Sequence, residues 1–182
     1  MAPSPYPTIE SWDVPTAAVD ATLAGVVPGG RRGVESGTFW LGTRASISAV
    51  EAVVILRGRG VVEEEGLWEV SPEAYGQVSR WARARHLSLL GTAHTHGQGV
   101  PVRLSSLDRL HLVRAPDLLA LVLGDAGDER DPARWSWNVC ANGSFRTLEG
   151  TEFRERVTLT AASVEVACGS ADGVKPWDRH VA

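Results

Sequence analysis

Two of the five histidines stand two positions apart, in Ala93-His94-Thr95-His96. The stretch that carries them, residues 87–96 (LSLLGTAHTH), is largely apolar and reads as a central strand. Alternate side chains of a strand share a face, so His94 and His96 project together with Thr95 behind them. Two imidazoles on one face can grip a single metal ion and make half of a zinc site. After a loop at residues 97–104, Ser105-Ser106-Leu107-Asp108 opens a helix. Taken alone this S-x-x-D unit is a cap, in which Ser105 and Asp108 satisfy each other's neighbouring backbone N–H groups. Placed after H-x-H, it also sets Asp108 at a helix start able to face the strand end. A catalytic zinc site takes three protein ligands and keeps a fourth position for water. His94, His96 and Asp108 form such a set.

The elements that must hold these residues follow from periodicity. Residues 33–41 (GVESGTFWL) end in an aromatic and aliphatic run that suits a strand, and Ile47–Leu56 is a β-branched run that suits a second. Glu63, Glu64 and Glu65 followed by Gly66 read as a solvated turn. Ser71-Pro72-Glu73 starts a helix, with Ser71 as cap, Pro72 at the first position and Glu73 complementing the dipole. Ala74, Val78, Trp81 and Ala82 give it one apolar stripe. The helix that opens at Ser105 ends before Pro116, residues 118–123 (LLALVL) read as a buried strand, and residues 124–133 as a polar loop. Asn142-Gly143 readily supplies the two positive φ values of a type I′ turn, which predicts a hairpin of residues 135–141 with 144–148. Residues 157–159 and 164–166 add edge strands. Residues 1–30 are Pro- and Ala-rich and read as a peripheral arm, with one short helix over residues 16–23 ahead of the Pro28-Gly29-Gly30 breaker. Trp40, Trp81, Trp135 and Trp137 fall at core positions, while Trp12 and Trp177 read as anchors or partner contacts.

The order of elements predicts an α/β (α+β) fold, a single mixed β-sheet domain flanked by helices. The expected division is an N-terminal arm at 1–30, a catalytic domain at 31–168 and a C-terminal tail at 169–182. A length of 182 residues suits one domain rather than two. Eighteen Lys plus Arg against twenty-two Asp plus Glu leave a net charge of −4, so there is no positive field to gather nucleic acid or anionic lipid. The longest apolar stretches fall far short of the roughly 20 residues of a spanning helix. The first thirty residues do not read as a secretory signal, which makes a cytoplasmic location the expectation. Cys140 and Cys168 have no C-x-x-C partner and read as reduced structural thiols.

The constellation of His94, His96, Ser105 and Asp108 resembles the JAMM or MPN-plus metalloprotease family (Mov34/MPN/PAD-1, prokaryotic JAB). That signature is a distant glutamate followed by H-x-H, a short loop and S-x-x-D. The glutamate precedes a Gly-rich apolar strand ending in Leu-Gly, and Glu35 in the run from Gly33 to Gly42 matches it. The resemblance implies an MPN/cytidine-deaminase-like architecture, with His94, His96 and Asp108 holding one Zn²⁺ per chain. It implies Glu35 as general base for the water, and Ser105 as the hydroxyl that helps zinc stabilise the oxyanion. The loop from Gly97 to Leu104 is one residue longer than the family's usual spacing, and Gly97 stands where Pro is common. This predicts a bulged loop and leaves Ser106 as an alternative source of the hydroxyl.

The implied reaction is peptidase or isopeptidase cleavage after the C-terminal glycine of ubiquitin or a ubiquitin-like protein. Such a tail reaches the metal extended, most simply by pairing with a sheet edge. The short chain resembles bacterial members that accompany ubiquitin-like modifiers with activating and conjugating enzymes, so those are the implied partners. One alternative is a hydrolase that trims, or releases an amino acid from, a sulfur-carrier protein. An alternative of another class is a metal-free MPN scaffold, whose members typically lack ligands that this chain retains. No residue is assigned to substrate binding.

Overall fold

The computed structural model describes residues 7–112 and 115–177. A first strand, β1 (Ser11–Pro15), runs straight into helix α1 (Thr16–Gly30). Strands β2 (Gly37–Thr43) and β3 (Ile47–Leu56) pair antiparallel, and a small separate hairpin follows, β4 (Val61–Glu64) with β5 (Leu67–Val70). Helix α2 (Pro72–Arg83) is capped by the Ser71 hydroxyl, which accepts from the Ala74 N–H, as the sequence predicts. Next come β6 (Ser88–Thr95), the one-and-a-half-turn helix α3 (Ser106–His111) and β7 (Leu119–Leu123). The hairpin of β8 (Ser136–Ala141) and β9 (Ser144–Thr147) turns on Asn142 and Gly143, both at positive φ, as expected for Asn-Gly. Helix α4 (Gly150–Arg156) and strands β10 (Val157–Thr160), β11 (Glu165–Ser170) and β12 (Gly173–Pro176) complete the described chain.

Ten strands form one mixed sheet in the order β10-β1-β3-β2-β6-β7-β8-β9, with β11 and β12 attached beside β3. Strand β3 is long enough to share one edge: β1 pairs parallel with residues 47–49 and β11 parallel with residues 52–56. The result is a mixed α/β fold, one curled sheet flanked by helices, and no described helix is long and apolar enough to cross a membrane. Alternate residues of the central strands feed two cores. Trp40, Val53, Ala93 and Leu121 pack with α1, while Phe39, Val54 and Leu56 pack with α2 on the opposite face.

The N-terminal segment differs from the peripheral arm expected of it. Strand β1 is inserted between β10 and β3, and Trp12, Val14, Ala18 and Val26 are buried in the main core. Helix α1 also continues past residue 23 and through Pro28, because its apolar side is buried on the sheet and that burial outweighs local propensity. The indole N–H of Trp40 donates to Thr22 at 2.8 Å and pins the helix down. Part of the expected tail is likewise in the sheet, with Cys168 of β11 opposite Lys175 of β12. Trp12 is fully buried, whereas Trp81, expected in the core, is half-buried with Arg85 4.0 Å above its ring. Cys140 and Cys168 are free thiols.

Candidate metal centre

Strand β6 delivers His94 and His96 to the α2 and α3 side of the sheet, where they are 1% and 3% exposed. In register, Gly37 of β2 lies opposite His94. The ladder runs one step further, since Thr95 N–H donates to the Ser36 carbonyl at 3.0 Å and Ser36 N–H to the Thr95 hydroxyl at 3.1 Å. Glu35 therefore lies beyond the end of β2 beside His96. The strand starts later than expected because the Glu35 N–H donates to the Glu64 carbonyl of the small hairpin at 2.9 Å. Glu35 is itself buried, at 7% exposure.

Asp108 arrives from the far side of the loop. The predicted capping box is present, with the Ser105 hydroxyl accepting from Asp108 N–H at 3.1 Å and an Asp108 carboxylate oxygen accepting from Ser105 N–H at 2.6 Å. The same carboxylate lies 3.2 Å from Nε2 of His94 through one oxygen and 3.2 Å from Nε2 of His96 through the other. One ligand atom from each of Glu35, His94, His96 and Asp108 lies within 4.8 Å of the rest. Four of the five site residues expected from the sequence thus converge, and Ser105 caps the helix that brings Asp108. Ser105 is exposed; because its oxygen accepts the cap bond, its O–H proton remains available to another acceptor. Ser106, the alternative, is the exposed first residue of α3.

The donor set fits a cation. Nε2 of His94 is buried with no hydrogen bond, although a carboxylate oxygen lies 3.2 Å away. Each imidazole faces a different oxygen of the Asp108 carboxylate at 3.2 Å, close enough for these groups to share one ion. His96 shows the outer support that ligand histidines need: its Nδ1 lies 3.1 Å from the Pro101 carbonyl, so a proton held there leaves Nε2 free to bind. The two imidazoles and the Asp108 and Glu35 carboxylates could hold one divalent ion among them.

The electrostatics are those of groups forced close. Burial pushes the Glu35 carboxyl above its ordinary range, His94 and His96 draw it back, and the Asp108 carboxylate raises it further. Burial also opposes the charge on Asp108, but the two imidazoles and the Ser105 N–H hold its carboxyl well below the usual range. His96 is raised despite burial, which alone would lower it, by its bonds to Asp108 and Pro101 and by the Glu35 charge. A cation would take the place of these mutual interactions.

Beside the site lies a cleft of about 340 Å³, floored by Phe39 and Thr92 and walled by Leu107 and Asp108 on one side. The other wall is the run of five consecutive residues from Gly66 to Val70. Among the described residues β5 pairs with β4 alone, so its other edge has no strand partner. Sequence reasoning passed over one residue here, Trp68. Its indole stacks on the His94 imidazole with centroids 5.8 Å apart and planes 13° from parallel. No sequence signal distinguishes it from the other tryptophans, since it meets His94 from a separate hairpin. His86 is exposed in the turn after α2, and the His180 position and the His111 side chain lie outside the described residues.

No protein-family model matches the chain, and no curated protein matches it in sequence. Among solved structures it is similar to the solution structure of protein DSY2949 from Desulfitobacterium hafniense, with 17% identity over 84% of this chain and 94% of that one and a TM-score of 0.63. That likeness shows a shared fold. A JAB1/MPN domain protein from Archaeoglobus fulgidus is matched at 11% identity over 81% of this chain and 97% of that one, with a TM-score of 0.42.

Proposed function

We propose that the protein is a zinc-dependent hydrolase of JAMM type. In this reading it cleaves the amide bond after the C-terminal glycine of a ubiquitin-like protein. The observation that carries it is the convergence of Glu35, His94, His96 and Asp108 beside a cleft lined by residues of β5. Zinc, when bound, supplies Lewis acidity that acidifies water and polarises a carbonyl. His94, His96 and Asp108 would hold the ion. Glu35, with its raised pKa, takes a proton from the attacking water and returns it to the leaving amine. The free O–H of Ser105 donates to the oxygen on which negative charge develops. The β5 edge offers backbone N–H and C=O groups to an extended tail, with Phe39 and Leu107 flanking it.

The test pairs zinc analysis with turnover of ubiquitin-like proteins that carry a C-terminal peptide extension. The expected result is close to one zinc per chain, lost in His94→Ala, with cleavage directly after the terminal glycine. A chain that holds zinc but leaves every amide substrate intact would overturn the reading.

A further inference from the structure

We propose that Trp68 is the positioning residue of His94, doing by ring stacking what a hydrogen bond does for His96. This rests on the reading that the cluster binds a metal. An imidazole ligand ordinarily donates its second N–H to a fixed acceptor, which sets its tautomer and its plane. His96 has that acceptor in the Pro101 carbonyl. His94 does not: its Nδ1 is buried without a hydrogen-bond partner among the described residues. The outer torsion of a histidine is broad, so something other than a hydrogen bond must hold this ring in the plane that aims Nε2 at Asp108.

Trp68 is that support. Its indole lies nearly parallel to the imidazole, and is itself held by the edge of Phe39 at 6.1 Å and 78°, with Tyr75 set edge-on to Phe39 at 5.7 Å. Trp68 is 8% exposed although it belongs to the two-stranded hairpin outside the main sheet. Gly37 makes the arrangement feasible. It sits opposite His94 in the ladder, and a Cβ there would fall inside the indole ring system of Trp68. The backbone of Gly37 is ordinary extended strand, so the requirement for glycine is one of space for the tryptophan. An indole face is also electron-rich and favours an imidazole that carries positive charge from a bound cation. The β4–β5 hairpin therefore does more than cover the cleft, because its position sets the direction of one metal ligand.

The test measures zinc affinity by competition with a chromophoric chelator, and the visible spectrum of the cobalt(II) form, for wild type, Trp68→Leu, Trp68→Phe and Gly37→Ala. Trp68→Leu keeps apolar bulk without a ring, and Gly37→Ala keeps the tryptophan but displaces it. Both are expected to lose about 10- to 100-fold in affinity, the usual consequence of removing a ligand's outer support, and to shift the cobalt bands. Trp68→Phe keeps a stacking ring and restores affinity and spectrum. Circular dichroism of the metal-free proteins identifies any variant that fails to fold, and Gly37→Ala then decides in place of Trp68→Leu. Folded variants with wild-type affinity and unchanged cobalt bands would overturn the role given to Trp68. Wild-type protein that takes up no zinc or cobalt would instead overturn the metal reading beneath it.

Discussion

The two faces of the sheet are built by the same strands and differ in what they bury. On the α1 face, Trp40, Ala93, Leu121 and Trp137 close over an apolar interior that holds no cluster of ionisable groups; Trp40 is paired with Thr22, and the Trp12 indole N–H is buried without a hydrogen-bond partner among the described residues. On the opposite face, one residue along each strand, the same β6 buries Thr92 and His94 beside Glu35 and Asp108, with a cleft left open. A buried polar atom without a partner destabilises the fold by about 1–3 kcal/mol, and Nδ1 of His94 is such an atom, while its Nε2 faces Asp108 at 3.2 Å. The first face makes the sheet rigid enough to hold the second in an arrangement it would not otherwise favour.

The strongest way to sharpen this contrast is Glu35→Gln. Turnover is expected to fall by about 10²- to 10⁴-fold, the usual contribution of a general base, with zinc content retained. Unfolding midpoints in denaturant should stay level or rise, since the substitution removes a charge that burial disfavours. Wild-type turnover in this variant would remove Glu35 from the chemistry. Trp40→Ala on the other face has the opposite profile. It is expected to lose about 3–5 kcal/mol of stability, as large-to-small core changes do, while the folded fraction still takes up zinc. A variant that lost zinc without losing stability would show that the faces are not separable in this way.

Ser105→Ala has a smaller expected effect on the fold, about 1 kcal/mol for the lost cap. Ser105→Thr keeps the cap oxygen and should recover that stability in urea titrations. If turnover falls in the alanine variant alone, while Ser106→Ala is active, the hydroxyl belongs to Ser105; the reverse result would assign it to Ser106.

The smallest expected effect is on the pH dependence of the metal-free protein. Glu35 and His96 both have raised values in the folded state, so the folded chain holds protons that the unfolded chain gives up. Their contribution is fully present below the unfolded values and is lost as pH rises through the weakly acidic to neutral range. Asp108 is lowered, so its contribution is present above the ordinary carboxylate value and is lost only in more acidic solution. Metal-free protein should thus lose stability as pH rises above the ordinary Glu and then the ordinary His value, and zinc should reverse the trend by binding the deprotonated forms. Unfolding midpoints across that range, with and without zinc, check the sign.

Much of the site was legible because it is carried by short-range rules. The alternation of a strand puts His94 and His96 on one face, and the capping box that Ser105 and Asp108 form is a four-residue device. Glu35 was legible by resemblance alone, since nothing local says that residue 35 ends beside residue 96. The N-terminal segment was misread for a physical reason. Its prolines and glycines are local breakers, but they act against the burial of Trp12, Val14 and Val26, which depends on strands that come later in the chain.

By itself the sequence determined which residues can do chemistry, the strand and helix that carry them, and a mixed sheet with helices as the frame. These follow from spacing, since periodicity and capping depend on neighbours a few positions away. Only the tertiary structure decided that Glu35 meets the imidazoles and that β5 lines the cleft. It alone also decided that Trp68 lies flat on His94 in the space Gly37 leaves. Each of these joins segments far apart in the chain, and such contacts are set by how the whole core packs rather than by any stretch within it.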